Sequence, residues 1–293
     1  MEIVTVFTNK GGVGKTTLSW LIGEGLTYCN NGEGAVKVLL IDMDQQRNLT
    51  STLIDSEHRE KVCQDSNIVK VLLGGSIAEN TVSTGLKNLF LVPGSIEVNN
   101  QQNFNVKRLY DAITEFKKSE YASEINYIII DNHGKADIWT DSALLACDKI
   151  LVPFECDHYN IDALQHIMRI MKEKYPDKID KIKIIPNKFK PVNTMWSYLD
   201  AARINYQDKI TRTTVPLGQD IAKTMMENKS LYLKKTGTGK IADAMKDLIS
   251  EVFGYDVNDI NKRLINERKE RMSERAKQIF RKIKEAKQGA VNG

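Results

Sequence analysis

Six short runs of β-branched and aliphatic residues recur along the chain: EIVTVF (2–7), VKVLLI (36–41), NLFLV (88–92), YIIID (127–131), KILVP (149–153) and KIKIIP (181–186). They read as continuously apolar rather than alternating, so they ask to be buried on both faces. That is the habit of parallel strands covered by helices. Segments with helical spacing lie between them, among them 16–29, 105–118, 160–175 and 239–253. Strand and helix in alternation build right-handed βαβ units, and the predicted fold is therefore α/β, a doubly wound, mostly parallel sheet flanked by helices. At 293 residues the chain is long enough to bury one large core of this kind.

The charge is unevenly placed. From Asp256 to Gly293, 11 Lys and Arg face 6 Asp and Glu, while the first 255 residues carry 31 basic against 32 acidic groups. After Phe253-Gly254 the strand pattern stops, and Met272, Ala276, Ile279, Ile283 and Ala286 follow at spacings of four, three, four and three, one helical stripe. The expected organisation is a core over 1–254 and a basic amphipathic helix over 255–293. No apolar run is long enough to cross a bilayer, and MEIVTVF has neither a basic flank nor a cleavage site, so a cytoplasmic protein with no stable membrane insertion is expected. Cys29, Cys63, Cys147 and Cys156 form no C-x-x-C pair; they read as reduced, several of them core residues, with a cluster bridged between subunits as an alternative.

The first predicted strand runs directly into NKGGVGKTT (9–17) and then a helix, the context that gives a glycine-lysine pattern a mechanism. Gly11, Gly12 and Gly14 free the backbone to aim N–H groups at a phosphate chain, and the helix N-terminus adds its positive end. Gly11, Gly12, Val13, Gly14, Lys15, Thr16 and Thr17 form the expected nucleotide-binding run, with Lys15 reaching the β- and γ-phosphates and the Thr16 hydroxyl on Mg²⁺. Asn9 stands where such loops usually have their first glycine, and asparagine tolerates left-handed backbone angles. At IPNKFK (185–190) a guanine-specific N-K-x-D would need aspartate at 190. Lys190 stands there instead, so ATP is favoured over GTP.

Lys10 to Thr17 resembles the deviant Walker A motif of the ParA/MinD family of P-loop ATPases, whose signature is an early lysine, here Lys10. The resemblance spans roughly 1–252 and rests on three further stretches. LLIDMDQQRNLTSTL (39–53) is similar to the family's L-D-x-D-P-Q-G-N-x-[ST], with Gln45 for proline and Arg47 for glycine; it implies that Asp42 orients or activates the attacking water near Mg²⁺, while Asp44 reads evenly as a helix cap or a site carboxylate. YIIIDNHGKADIW (127–139) supplies Asp131 as the Walker B carboxylate near Mg²⁺. There the usual D-[TS]-P-P becomes Asp131-Asn132-His133-Gly134, and His133 with Lys135 reads first as a solvent-exposed pair, with nucleotide sensing as the alternative. IPNKFK places Asn187 where the family sets an asparagine against adenine.

The resemblance implies a function as well as a fold. Lys10, Lys15 and Asp42 would be the catalytic set, and Thr16, Asp42 and Asp131 the magnesium set. Lys10 would reach the partner's site in an ATP-dependent homodimer. In the ParA/Soj branch the ATP dimer binds DNA without sequence preference, and a centromere-bound ParB-type partner stimulates hydrolysis. A nucleoid-associated plasmid or chromosome partitioning switch is thus expected, with Lys188, Lys190, Arg203, Arg212, Lys234, Lys235 and Lys240 as candidate DNA contacts. A MinD-like membrane-associated ATPase and a ParA-like positioner of another cargo are the alternatives.

Overall fold

All six apolar runs form strands in the computed structural model, which describes residues 1–98, 105–135, 137–218, 220–227, 229–233 and 239–289. The strands are β1 (Glu2–Val6), β2 (Val38–Asp42), β3 (Val82–Ser83), β4 (Leu89–Val92), β5 (Tyr127–Asp131), β6 (Lys149–Glu155) and β7 (Ile182–Asn187). They make one sheet in the order β3-β4-β2-β5-β1-β6-β7. Every pairing is parallel except β3 with β4. Two-residue β3 is the strand the apolar pattern does not predict, being too short to carry a period.

The double burial behind this pattern is visible residue by residue. Ile128 and Ile130 of β5 join one apolar layer, together with Leu39, Ile41 and Ile150, while Ile129 joins the other with Val4, Val6 and Leu40. The first layer is covered by α4 (Ile68–Leu72), α5 (Arg108–Phe116), α7 (Ile138–Ala146), α8 (His158–Lys174) and α9 (Asn193–Tyr206). The second is covered by α1 (Lys15–Leu26), α2 (Asn48–Leu53), α11 (Gly239–Phe253) and the start of α12 (Val257–Gly289), whose Ile260 and Leu264 are buried in it. α3 (Ser56–Asp65), α6 (Glu120–Glu124) and α10 (Asp220–Met226) complete the α-helices of the described residues. Of the predicted stripe on the tail, only the Met272 side chain is among those described, and it is exposed. The four cysteines are free and buried.

The chain's winding positions the site. From β1 it moves to β2 on one flank, and only later returns to place β6 on the other side of β1. Sheets of this class bind ligands outside the carboxyl ends of their strands where the winding reverses, and the loop leaving β1 lies at that point.

Candidate nucleotide site

Between β1 and α1 the backbone turns at Gly12 (φ 77°) and Gly14 (φ 91°, ψ 28°), both in the left-handed region that a side chain opposes. Asn9 does not use its tolerance for such angles: among the described non-glycine residues, only Arg47, Asn88, Lys188 and Gln207 have positive φ. The glycines inside the loop take the strain instead. Around the loop opens a cleft of about 590 Å³, walled by Gly11, Gly12 and Gly14 to Thr17, by Asp44, Asn48 and Ser51 after β2, and by Gly134 after β5. A Cβ at Gly11 or Gly12 would meet no atom within 4 Å, so the backbone there is open to a ligand. Lys15 is 8% exposed and its ammonium donates to the Lys10 carbonyl at 3.0 Å. Burial lowers its pKa, opposed by the negative charge of Asp131 and Asp44.

Asp42 and Asp131 end adjacent parallel strands in register, so two carboxyls meet beneath the cleft without solvent exposure. Such crowding in a dry place favours the protonated forms. Burial pushes Asp131 to about 8, with the Asp42 charge adding to the shift, and pushes Asp42 to about 6. Their hydrogen bonds differ. Asp42 accepts from the Thr50 hydroxyl at 2.7 Å and the Thr50 N–H at 2.9 Å through Oδ2, and from the Asp44 N–H through Oδ1. Both of its oxygens therefore hold the loop that leads into α2, and it is enclosed below the cleft wall. Asp44, two residues on, lines the cleft wall, its Oδ1 accepting from the Gln46 N–H at 2.9 Å. The end of β2 explains the difference, since an acid still inside the strand is swallowed by the sheet and one past its end is free to face the cleft.

Asp131 Oδ1 accepts from Ser19, while its buried Oδ2 makes no hydrogen bond, although the Thr16 hydroxyl is near enough to favour the charged form. An unpaired, fully enclosed carboxylate oxygen beside a left-handed glycine loop and a buried ammonium is the donor set of a cation and polyphosphate site. The residues fit magnesium and a nucleoside triphosphate.

Three expected residues sit differently from one another. Lys10 turns away from its own cleft, its ammonium 3.9 Å from Asp157 and 5.7 Å from the Tyr159 ring, which is 75% exposed. Asn187 donates its side-chain N–H to the Val13 carbonyl at 2.7 Å, and a Cβ on Gly14 would lie 2.5 Å from that nitrogen. His133 is not the exposed loop residue expected: it is 7% exposed. Its Nδ1 accepts from the Lys135 N–H, and its Nε2 lies 3.0 Å from the Asp137 carboxylate without making a hydrogen bond, while Asp137 caps α7. That loop brings Gly134 against the phosphate loop, where a Cβ would stand 3.1 Å from the Lys15 ammonium. Arg47, in the family's glycine position, keeps a glycine-like φ of 53° and is tied to Glu60 at 3.1 Å.

A family model described as an AAA domain (AAA_31) matches residues 1–184. The chain belongs to that family. Its relatives place it in the ParA/MinD group of P-loop ATPases, on the Soj/ParA side. The sporulation initiation inhibitor protein Soj of Bacillus subtilis is 24% identical over 265 residues, covering 86% of this chain and 98% of Soj. The chromosome partitioning protein ParA of Caulobacter vibrioides is 28% identical over 180 residues, covering 59% of this chain and 62% of ParA. Among solved structures, a plasmid partition protein from Borrelia burgdorferi bound to AMPPNP shares the fold, with a TM-score of 0.67 at 22% identity over 85% of this chain and 97% of that one.

The candidate DNA residues of this ParA/MinD-group chain are dispersed. Arg203 and Arg212 line one cleft of about 720 Å³ with Lys183 and Glu251, at the edge of the sheet beside the start of β7 and away from the phosphate loop. Lys190 and Lys240 are exposed. Lys188 is instead drawn to the phosphate loop, where its ammonium pairs with Glu155 at 2.6 Å and donates to the Gly12 carbonyl. Lys234 and Lys235 lie outside the described residues.

Proposed function

We propose that this ParA-like positioning ATPase works as an ATP-gated dimerisation switch for DNA partitioning. The observation that carries the proposal is the direction of Lys10. A loop lysine that ignores its own cleft and stands at the surface beside Asp157 and Tyr159 is available to a second subunit. A cation supplied in trans neutralises phosphate charge only when two loaded subunits face each other, so assembly and hydrolysis become coupled.

Within one subunit the roles follow from placement. The loop from Gly11 to Thr17 cradles the phosphates, and Lys15 carries its charge to their far end. Thr16 and Asp131 are the groups placed to hold magnesium, whose contribution when bound is to offset charge on the transferred phosphoryl group. Asp44 is the carboxylate that orients water at the cleft. Asp42 holds the Asp44–Thr50 loop in place beneath it. The dimer would double the basic surface, and because non-specific DNA binding is driven by counterion release, affinity rises steeply on joining. Arg203 and Arg212 are the best-placed contacts, since they converge on one exposed cleft. A ParB-type partner bound at centromere sites would then trigger hydrolysis and release. The name of the ParA relative, a chromosome partitioning protein, supports a partitioning cargo.

Light scattering with ATP and Mg²⁺ tests the switch. The wild-type mass should double with ATP and not with ADP, and Lys10→Ala should remain a monomer while still binding nucleotide. A Lys10→Ala variant that dimerises normally would remove the basis of the proposal.

A further inference from the structure

A phosphate loop that turns its N–H groups toward a ligand must turn carbonyls the other way, and those carbonyls need donors. In this chain the donors come from the end of β7. Asn187 donates to the Val13 carbonyl at 2.7 Å, and the next residue, Lys188, donates its ammonium to the Gly12 carbonyl. Lys188 reaches back because its own backbone is left-handed, φ 52°. It is held there by Glu155, at 2.6 Å, and Glu155 pairs with Asn187 in the register of β6 and β7. The turn after β7 is itself pinned, with Val215 N–H on the Pro186 carbonyl at 2.8 Å and Phe189 N–H on the Val215 carbonyl at 2.9 Å. The donor pair therefore stands on rigid backbone, whereas Gly11-Gly12-Val13-Gly14 is the most conformationally free stretch of the site.

We infer that Lys188, with Asn187, is a positioning residue of the phosphate loop. Its charge-assisted bond fixes the carbonyl side of Gly12 so that the N–H side is set before nucleotide arrives. The inference rests on the nucleotide-site reading above and reassigns Lys188 from the DNA surface to that site. An ammonium paired with a carboxylate is the stronger kind of donor, and it acts without touching phosphate. Preorganisation of this sort removes ordering costs that would otherwise be charged to binding. Because Gly12 and Val13 lie in the part of the loop that any bound di- or triphosphate uses, ATP and ADP should lose equally when the brace is cut.

The test is a titration of fluorescent ATP and ADP analogues into wild type, Lys188→Met, Lys188→Arg and Glu155→Gln, with amide hydrogen exchange across 11–14 of the nucleotide-free protein. Lys188→Met should weaken both nucleotides about tenfold, leaving their ratio unchanged, and should speed exchange at Gly12 to Gly14. Arginine should restore part of the loss, and Glu155→Gln should weaken binding about threefold. At saturating ATP, Lys188→Met should hold DNA as wild type does. Wild-type nucleotide affinity and wild-type exchange in Lys188→Met would overturn the inference, and a loss confined to DNA binding would return Lys188 to the DNA surface. Should Lys188→Met not fold, Glu155→Gln decides the matter by the same two readouts. A wild-type chain that binds neither nucleotide would instead defeat the ATPase reading, so the two failures are distinct.

Discussion

Glu24, in the middle of α1, is fully buried and lies where three elements meet. Its Oε1 accepts from the Ser230 hydroxyl, which is also 3.3 Å from the Tyr28 hydroxyl. Tyr232 donates to the Leu21 carbonyl at 2.7 Å, and its own carbonyl accepts from Arg268 of α12 at 2.6 Å. Burial raises the Glu24 pKa from the ordinary 4.5 to about 7, against the lowering effects of Ser230, the Leu231 and Tyr232 backbone and Arg271. A carboxyl that holds its proton more tightly when folded favours the fold at low pH. That contribution is complete below about 4.5, declines as pH rises, and is gone above about 7. The gap corresponds to an upper bound of about 3.5 kcal/mol, at about 1.4 kcal/mol per pH unit. Glu24→Gln cannot ionise, so the stability difference between variant and wild type should move in the variant's favour by about 2–3 kcal/mol between pH 5 and pH 8. Urea unfolding of both proteins across that range measures it, and titrations common to both cancel in the difference. A difference that stays constant with pH would refute the reasoning.

Other substitutions probe the site directly. Gly14→Ala places a methyl at φ 91° and against the Asn187 amide, so it should cost about 2 kcal/mol in urea unfolding and abolish nucleotide binding. Asp44→Ala should leave stability within about 0.5 kcal/mol of wild type while removing ATP hydrolysis in a phosphate-release assay, whereas Asp42→Ala should lose about 2 kcal/mol or more of stability, because three donors lose their acceptor. Equal stability of the two would erase the distinction drawn between them. Arg203→Ala with Arg212→Ala should weaken binding of the ATP form to random-sequence DNA at least tenfold and reduce its salt dependence, with ATP affinity unchanged.

The sheet was legible because burial on both faces writes an uninterrupted apolar run, as in Tyr127–Asp131, and the phosphate loop was legible because no other structure needs glycines and lysine between a strand and a helix. What the sequence concealed is largely a matter of phase and reach. Asp42 and Asp44 differ by two residues, yet one ends inside the sheet and the other beyond it, a distinction set by where β2 stops. His133 looked exposed because its neighbours are polar, but the Lys135 N–H and the nearby Asp137 carboxylate permit its burial. Lys188 looked like a surface charge; its left-handed backbone and the register that brings Glu155 beside it are tertiary facts with no local pattern.

The claim at the centre is that nucleotide state gates DNA binding through assembly. One titration tests it most directly: random-sequence DNA against the protein with ATP and Mg²⁺, with ADP and Mg²⁺, and with no nucleotide, at a single stated salt concentration. Tight binding in ATP alone, lost in Lys10→Ala, is the expected result. Equal affinity in all three states would contradict the switch.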